Sequence, residues 1–171
     1  MASAQMVQTQ ADMMLENALA FCADKTFQGN TRQARLALTS GRCDVCDYLC
    51  YSLAKQVGEY LGQMDTAVKA VYMFHTEYAQ LSEESAACRS AGIHMIAWVE
   101  RKSAALSALT EVLDAALSER RRKLGCVSAT AACYTLNVHL VDDADVRERR
   151  GYGALIGSLL VRPIRVWAHT N

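Results

Sequence analysis

An unbroken apolar stripe between residues 43 and 64 constrains the fold of this chain more than any other feature. Its members follow one another at alternating steps of three and four residues, which is the repeat of one face of an α-helix. They are Cys43, Cys46, Cys50, Leu53, Val57, Tyr60 and Met64. The segment is therefore predicted to be a helix with one buried face, ended by the glycine of GQMD at 62–65.

Three further segments have the character of buried or terminal β-strands. Residues 67–74 and 93–99 are almost continuously apolar and contain many β-branched and aromatic side chains, as in a strand covered on both faces. Pro163 introduces a last short strand at residues 164–167.

A fourth strand is predicted at residues 133–141, and it alternates between two kinds of side chain. Leu136, Val138 and Leu140 share one face, which we expect to meet the core. The opposite face is polar and is expected to line a groove, with a histidine from the end of the first strand across from it. The groove residues predicted in this way are His75, Thr135, Asn137 and His139.

Helices are predicted for most of the remaining chain, because it has a single proline and abundant alanine. Apolar periodicity predicts helices at 5–22 and 102–123, and Asn30 is expected to cap a short helix ending at Leu38. Two more short helices are expected within 142–161. Strands that alternate with helices favour an α/β (α+β) fold, in which helices pack on a small mixed sheet of about four strands.

The chain is expected to form a single compact unit with two parts. Its 171 residues are the length of one domain. Residues 1–40 are interpreted as an N-terminal helical extension, and residues 41–171 as the α/β domain. The apolar stripe of the extension is interpreted as a dimerisation surface, so the expected assembly is a homodimer.

Composition excludes several classes of partner. Eighteen basic residues balance eighteen acidic ones, which gives no electrostatic reason to expect binding to nucleic acid or to an anionic membrane. There is no signal-like N-terminus, and no apolar run approaches the ~20 residues needed to cross a bilayer. We therefore expect a soluble cytoplasmic protein without a cofactor, in which the seven cysteines are reduced.

Three cysteines in a C-x2-C-x3-C arrangement place their thiols on one helical face. We interpret Cys43, Cys46 and Cys50 as core residues, because Leu53 and Val57 continue their stripe without a break. The alternative is a metal or iron–sulfur site built on the same three thiols. A closed zinc site requires a fourth ligand, and none stands at a suitable spacing.

Four other features have ordinary structural explanations. ERRRK at 119–123 is interpreted as a solvated helix end, where cations are favoured, and DDAD at 142–145 as a helix start. GYGALIG at 151–157 follows a basic helix and not a strand, so it is interpreted as a turn and not as a dinucleotide-binding loop. His94 lies in an apolar strand and is interpreted as a core residue.

From residue 43 onward, the order of elements resembles the minimal nucleotidyltransferase fold of the polymerase-beta-like superfamily. AVYMF (70–74), GIHMIAWVERK (92–102) and LNVHLVDD (136–143) resemble its first, second and third strands. That family has a Phe-Gly-Ser turn after the first strand, an Asp-x-Asp pair on the second and a further carboxylate on the third. The carboxylates hold the metal ions that drive phosphoryl transfer.

This chain departs from the family at each of those motifs. The first strand is followed by His75 and Thr76 in place of Gly-Ser. Ile93 and Met95 stand at the positions of the aspartate pair, and Asn137 stands at the third acidic position. The resemblance therefore implies a degenerate relative that lacks the two-metal site and does not transfer nucleotides by the usual route.

The resulting hypothesis is a non-catalytic binding or protein-interaction module with an unidentified protein or small-molecule partner. A metal or iron–sulfur protein is the first alternative. The second is a nucleotidyltransferase with displaced carboxylates, for which the candidates are Glu77, Asp142 and Asp143.

Overall fold

The computed structural model describes residues 4–74, 92–124, 135–160 and 162–169. The predicted α/β class, with helices packed on a four-stranded mixed sheet, is confirmed. The elements are α1 (Ala4–Thr26), α2 (Thr31–Thr39), α3 (Cys43–Met64), β1 (Val68–Phe74), β2 (Ile93–Val99), α4 (Ala104–Lys123), β3 (Leu136–Val141), α5 (Asp143–Arg147), a 3₁₀ helix (Gly151–Leu155) and β4 (Ile164–Ala168). None of the helices in these ranges combines the length and the apolarity needed to span a bilayer.

The four strands lie in the order β3-β2-β1-β4. β1 is antiparallel to both β2 and β4, whereas β2 and β3 run parallel. Because successive side chains of a strand point to opposite sides, the sheet has two distinct faces. One face carries Val71, Met73, Met95 and Ala97 and is covered by the long helices; we call it the helical face.

The opposite face is called the histidine face. Residues on neighbouring strands that are partners in register share a face, which assigns its members row by row. They are Tyr72 and Phe74 on β1, His94, Ile96 and Trp98 on β2, and Asn137, His139 and Val141 on β3.

Three long helices form the layer on the helical face. α3 contacts β1 and β4, α4 contacts β3, and α1 packs against both α3 and α4. The main core lies between these helices and the sheet, and it includes Leu53, Val57, Met95 and Leu113, all essentially inaccessible to solvent.

The apolar residues of α1 divide between the core and the surface. Val7, Ala11, Met14 and Ala18 are covered by α3 and α4 of the same chain, and each has at most 1% of its surface exposed. Met6 and Met13, in contrast, are 46% and 49% exposed. Dimerisation through the extension stays a prediction.

The predicted α3 stripe is confirmed over most of its length. Cys46, Leu53, Val57 and Tyr60 are buried in the main core. Met64, the last residue of the helix, is in contrast 40% exposed. The side chain of Cys43 lies outside those that the structure describes.

The helix starts follow the capping rules that the sequence suggested. Asn30 caps α2, with its side-chain oxygen accepting a hydrogen bond from the Gln33 backbone N–H at 3.1 Å. Asp142 and Asp145 form a reciprocal capping box at α5. The interpretation of DDAD as a helix start is therefore confirmed.

A glycine allows α3 to approach the sheet closely. A Cβ atom added to Gly58 would lie 2.9 Å from the Cβ of Trp167 and 3.3 Å from the Cβ of Val71. Both are atoms tied directly to strand backbone, so neither can move aside without shifting the sheet. The small residue is therefore required by packing and not by its backbone conformation.

We expect Gly58→Ala to destabilise the protein although alanine is the better helix former by about 1 kcal/mol. Overpacking against two strands costs about 1–3 kcal/mol, so after the gain in helix propensity the unfolding free energy in urea denaturation should fall by about 1 kcal/mol, and by at most about 2 kcal/mol. Gln63→Ala, an exposed position on the same helix, is the control and should change stability by less than about 0.5 kcal/mol. Equal stability of the two variants would contradict the close approach.

Candidate functional site

Aromatic and imidazole rings gather at one end of the histidine face. Phe74, His94 and Asn137 lie side by side across β1, β2 and β3, and His139 lies in the next row beside Ile96. This register follows from the antiparallel pairing of β1 with β2 and the parallel pairing of β2 with β3. Two histidines and one carboxamide are thus placed together among hydrophobic neighbours.

The rings of Phe74, His94, His139 and Tyr152, which we call the ring group, lie close to one another. The centroid of Phe74 lies 5.4 Å from that of His94, and the two imidazoles lie 6.5 Å apart with their planes only 13° from parallel. Tyr152 stacks on His139 with a centroid separation of 3.5 Å and an interplanar angle of 12°. The ring planes of His94 and Tyr152 are therefore nearly parallel to that of His139, whereas Phe74 is tilted against all three by 35–44°.

Tyr152 is supplied by the segment that follows β3. α5 and the 3₁₀ helix cover the other half of the histidine face, where Val146, Leu155 and Ile156 pack on a small second core. Gly153 lies so close to α5 that a Cβ there would stand 2.5 Å from the carbonyl oxygen of Asp145. This packing holds the neighbouring tyrosine over the imidazole.

Ion pairs attach α5 to the sheet. Asp143 accepts hydrogen bonds from the Lys69 ammonium at 2.7 Å and from the Trp98 indole N–H at 2.8 Å. The hydrogen bond from Lys69 holds the pKa of Asp143 below its usual range. Asp145 pairs with Lys102 at 2.5 Å. The carboxylates of α5 are therefore engaged by cations of the chain itself.

Both imidazoles are in an environment that disfavours their charged form. Burial lowers the pKa of His94, and burial together with the nearby His94 lowers the pKa of His139. The Nε2 atom of His139 is buried and has no hydrogen-bond partner among the described residues. A buried polar atom without a partner is uncommon, since leaving one unpaired costs about 1–3 kcal/mol.

The structure brings together some of the predicted groove residues and separates others. Asn137 and His139 share the histidine face, as predicted. Thr135 does not: it is 2% exposed, and its hydroxyl accepts a hydrogen bond from Ser118 of α4. Its assignment to the groove is therefore wrong, because it precedes the first residue of β3 and turns toward α4. His75 lies outside the described residues.

Three members of the ring group were not identified as site residues from the sequence. His94 had been assigned to the core, but it is half-buried on the histidine face. Phe74 and Tyr152 were considered only as part of a strand and a turn. Strict alternation along 93–99 would have placed His94 on the same face as Ile96 and Trp98, opposite Met95.

Two of the α3 thiols, those of Cys46 and Cys50, lie in or against the main core. Cys46 is 9% exposed within it, and Cys50 packs against it. Burial raises the pKa of the Cys50 thiol. Among the described side chains, there is no group of three or more histidine, cysteine or acidic residues that could hold a metal ion.

The basic run at the end of α4 is less solvated than predicted. Arg120 makes an ion pair with Asp12 of α1 and a hydrogen bond with Gln8. Arg121 is only 6% exposed. The interpretation of 119–123 as a solvated helix end is therefore wrong for these two arginines, because α1 packs across this end of α4.

The positions that correspond to the nucleotidyltransferase carboxylates do not converge. Ile93 and Met95 are buried on the helical face, whereas Asn137 is on the histidine face. Carboxylates at these three positions would therefore stand on opposite sides of the sheet. Of the displaced candidates, Asp142 caps α5, Asp143 is bound by Lys69, and Glu77 lies outside the described residues.

Histidines with lowered pKa values make stability depend on pH. The unfolded chain binds a proton on each near pH 6.5, but the folded protein binds it only at lower pH, so stability should fall as pH drops below about 6.5. We expect the melting temperature to decrease from pH 7.5 to pH 5, a range above the titration of the paired carboxylates. The decrease should be smaller in His139→Phe, which keeps a stacking ring.

The matched control for this prediction is His169→Phe, because His169 is exposed and lies after β4. This variant should retain the pH dependence of the wild-type protein. The same slope in all three proteins would contradict a contribution from His139.

No family model, curated protein or solved structure matches the chain. A function is therefore inferred from the chemistry of the histidine face itself. The resemblance to the nucleotidyltransferase fold stays a prediction.

Proposed function

We propose that the chain is a non-catalytic, cytoplasmic binding module, and that its ligand site is the ring group on the histidine face. The proposed ligand is a small, flat, uncharged ring that carries hydrogen-bonding groups. The observation that carries this proposal is the buried Nε2 atom of His139, which has no partner among the described residues. A ligand atom at this position would satisfy it.

The electrostatics of the group support an uncharged ligand. Near pH 7 the lowered pKa values favour neutral imidazoles, each with one donor and one acceptor nitrogen. The described side chains that stack in this group are Phe74, His94, His139 and Tyr152, none of which carries a fixed charge. On the same face, the charges of Lys69 and Asp143 neutralise each other in an ion pair beside Trp98, at the other end of β2 from His94.

Tyr152 supports the flat shape of the proposed ligand. Its ring lies parallel to that of His139 at van der Waals separation, although 41% of the residue is exposed. Because this ring is partly exposed, a ligand ring could reach His139 by displacing it. Aromatic stacking of this kind contributes about 0.5–1.5 kcal/mol beyond the area it buries.

Three further proposals accompany this one. The order of elements supports descent from the nucleotidyltransferase fold, with the carboxylates lost and binding retained. A homodimer is proposed as the assembly, with the exposed Met6 and Met13 of α1 as candidates for its surface. A metal on Cys43, Cys46 and Cys50 is the least supported alternative, since Cys46 and Cys50 lie among apolar core residues.

The binding proposal is tested by titrating three probes into labelled protein and following its amide and imidazole NMR signals. Uracil and nicotinamide are flat, uncharged and able to hydrogen-bond, whereas toluene is a ring without such groups. We expect the first two to shift the signals of His139 and Asn137, with toluene binding more weakly. Tyr152→Ala should bind them more tightly, because the competing tyrosine ring is removed.

Two histidine variants measure the role of the imidazole nitrogen. His139→Phe keeps a ring but removes Nε2, so it should weaken binding of uracil or nicotinamide about 5–10-fold, the value of one hydrogen bond. His169→Phe should bind them as the wild-type protein does. Absence of shifts on this face in both wild type and Tyr152→Ala, or equal affinities of the two histidine variants, would refute the proposal.

Retained transferase activity is tested separately with a nucleoside triphosphate and magnesium. The proposed function predicts neither turnover nor a thermal shift with this pair. Turnover that is abolished by Asp142→Asn would instead support a transferase with displaced carboxylates.

A further inference from the structure

A buried arginine interrupts the apolar face of α4. The inward side of this helix carries Leu106, Thr110, Leu113 and Leu117 at helical spacing, and Arg121 occupies the next position of the same stripe. Arg121 is 6% exposed, so its long side chain is almost entirely covered. A charged group therefore stands where the packing pattern calls for an apolar one.

This guanidinium has no partner among the described residues. Its Nε atom is buried without a hydrogen bond, and no ion pair is formed by the side chain. The adjacent basic residues differ in this respect, since Arg120 pairs with Asp12 and Lys123 pairs with Glu119. A guanidinium cannot lose its proton inside a protein, so its charge persists and requires compensation.

Among the residues that the structure describes, no carboxylate pairs with Arg121. Arg121 lies close enough to the Cys50 thiol to influence its pKa. Burial raises the pKa of this thiol more than Arg121 lowers it, so the thiol is neutral. Asp114 lies on α4 itself, and its carboxylate accepts backbone hydrogen bonds from Thr135 and Leu136. Asp47 on α3 is exposed to solvent.

We propose that Arg121 forms a binding site for a small oxyanion, of which phosphate is the representative, beside Cys50 of α3. The guanidinium presents its N–H groups in a planar fork that matches two oxygens of a phosphate, sulfate or carboxylate. The anion would supply the negative partner that the described residues do not give Arg121. This proposal is independent of the ring group, which lies on the opposite face of the sheet.

The experiment compares thermal unfolding in phosphate with unfolding in chloride at the same ionic strength and pH. Phosphate should raise the melting temperature of the wild-type protein by roughly 5 °C at a concentration about a hundred times its dissociation constant. Arg122→Gln is the matched control: it removes the adjacent, exposed arginine, and it should keep the full phosphate-dependent rise.

Arg121→Met should behave differently in both buffers. It removes the charge but keeps a long apolar side chain, so the phosphate-specific rise should disappear. In chloride this variant should melt at or above the wild-type temperature, because a buried unpaired charge is replaced by an apolar group. A structural role for the guanidinium predicts the reverse, a lower melting temperature in chloride.

If Arg121→Met does not fold, a second measurement still tests the proposal. Phosphorus NMR linewidths in a phosphate titration report binding directly, and Arg121→Lys, which keeps the charge but loses the fork, should weaken it about tenfold. Tighter binding of glycerol 3-phosphate than of inorganic phosphate would indicate a larger phosphorylated ligand. No phosphate-specific effect on the wild-type protein, or an equal effect on both Arg121 variants, would overturn the proposal.

Discussion

Every side chain of β1, β2 and β3 must point to one face of the sheet or to the other, because successive residues of a strand alternate. The rest of the molecule is arranged around this constraint. The helical face receives the aliphatic side chains and three long helices. The other face receives the imidazoles, the carboxamide and the aromatic rings, and of the described elements the short α5 and 3₁₀ helices lie over it. Any one-residue shift in the register of β2 would exchange the two environments.

The elements that could be predicted are those whose pattern is local. Apolar runs predicted the position of β2 and β1 to within a residue, and Asn30 marked the start of α2. Alternation along β3 also placed Asn137 and His139 on one face. These features depend on neighbouring residues in the chain, so one sequence contains the information.

What the sequence did not reveal are the contacts between distant segments. An apolar stripe on α1 shows that this helix is covered, but not that α3 and α4 of the same chain cover it. Likewise, ERRRK resembles a solvated helix end until Asp12 and α1 are placed against it. Tyr152 belongs to the ring group only because Gly153 and Val146 fold the segment back over β3. Each of these results depends on tertiary packing, which periodicity does not encode.

The pairing of α1 with α4 also bears on how the chain acquires its structure. Arg120 and Asp12 are 108 residues apart, yet their exposed ion pair joins the two helices at the surface. During synthesis α1 emerges well before α4, so the part of its apolar side that α4 covers remains exposed until the later helix is available. Contacts between residues so far apart in the sequence slow folding and prolong the exposure of apolar surface. The nascent chain is thus a natural substrate for chaperones throughout that interval.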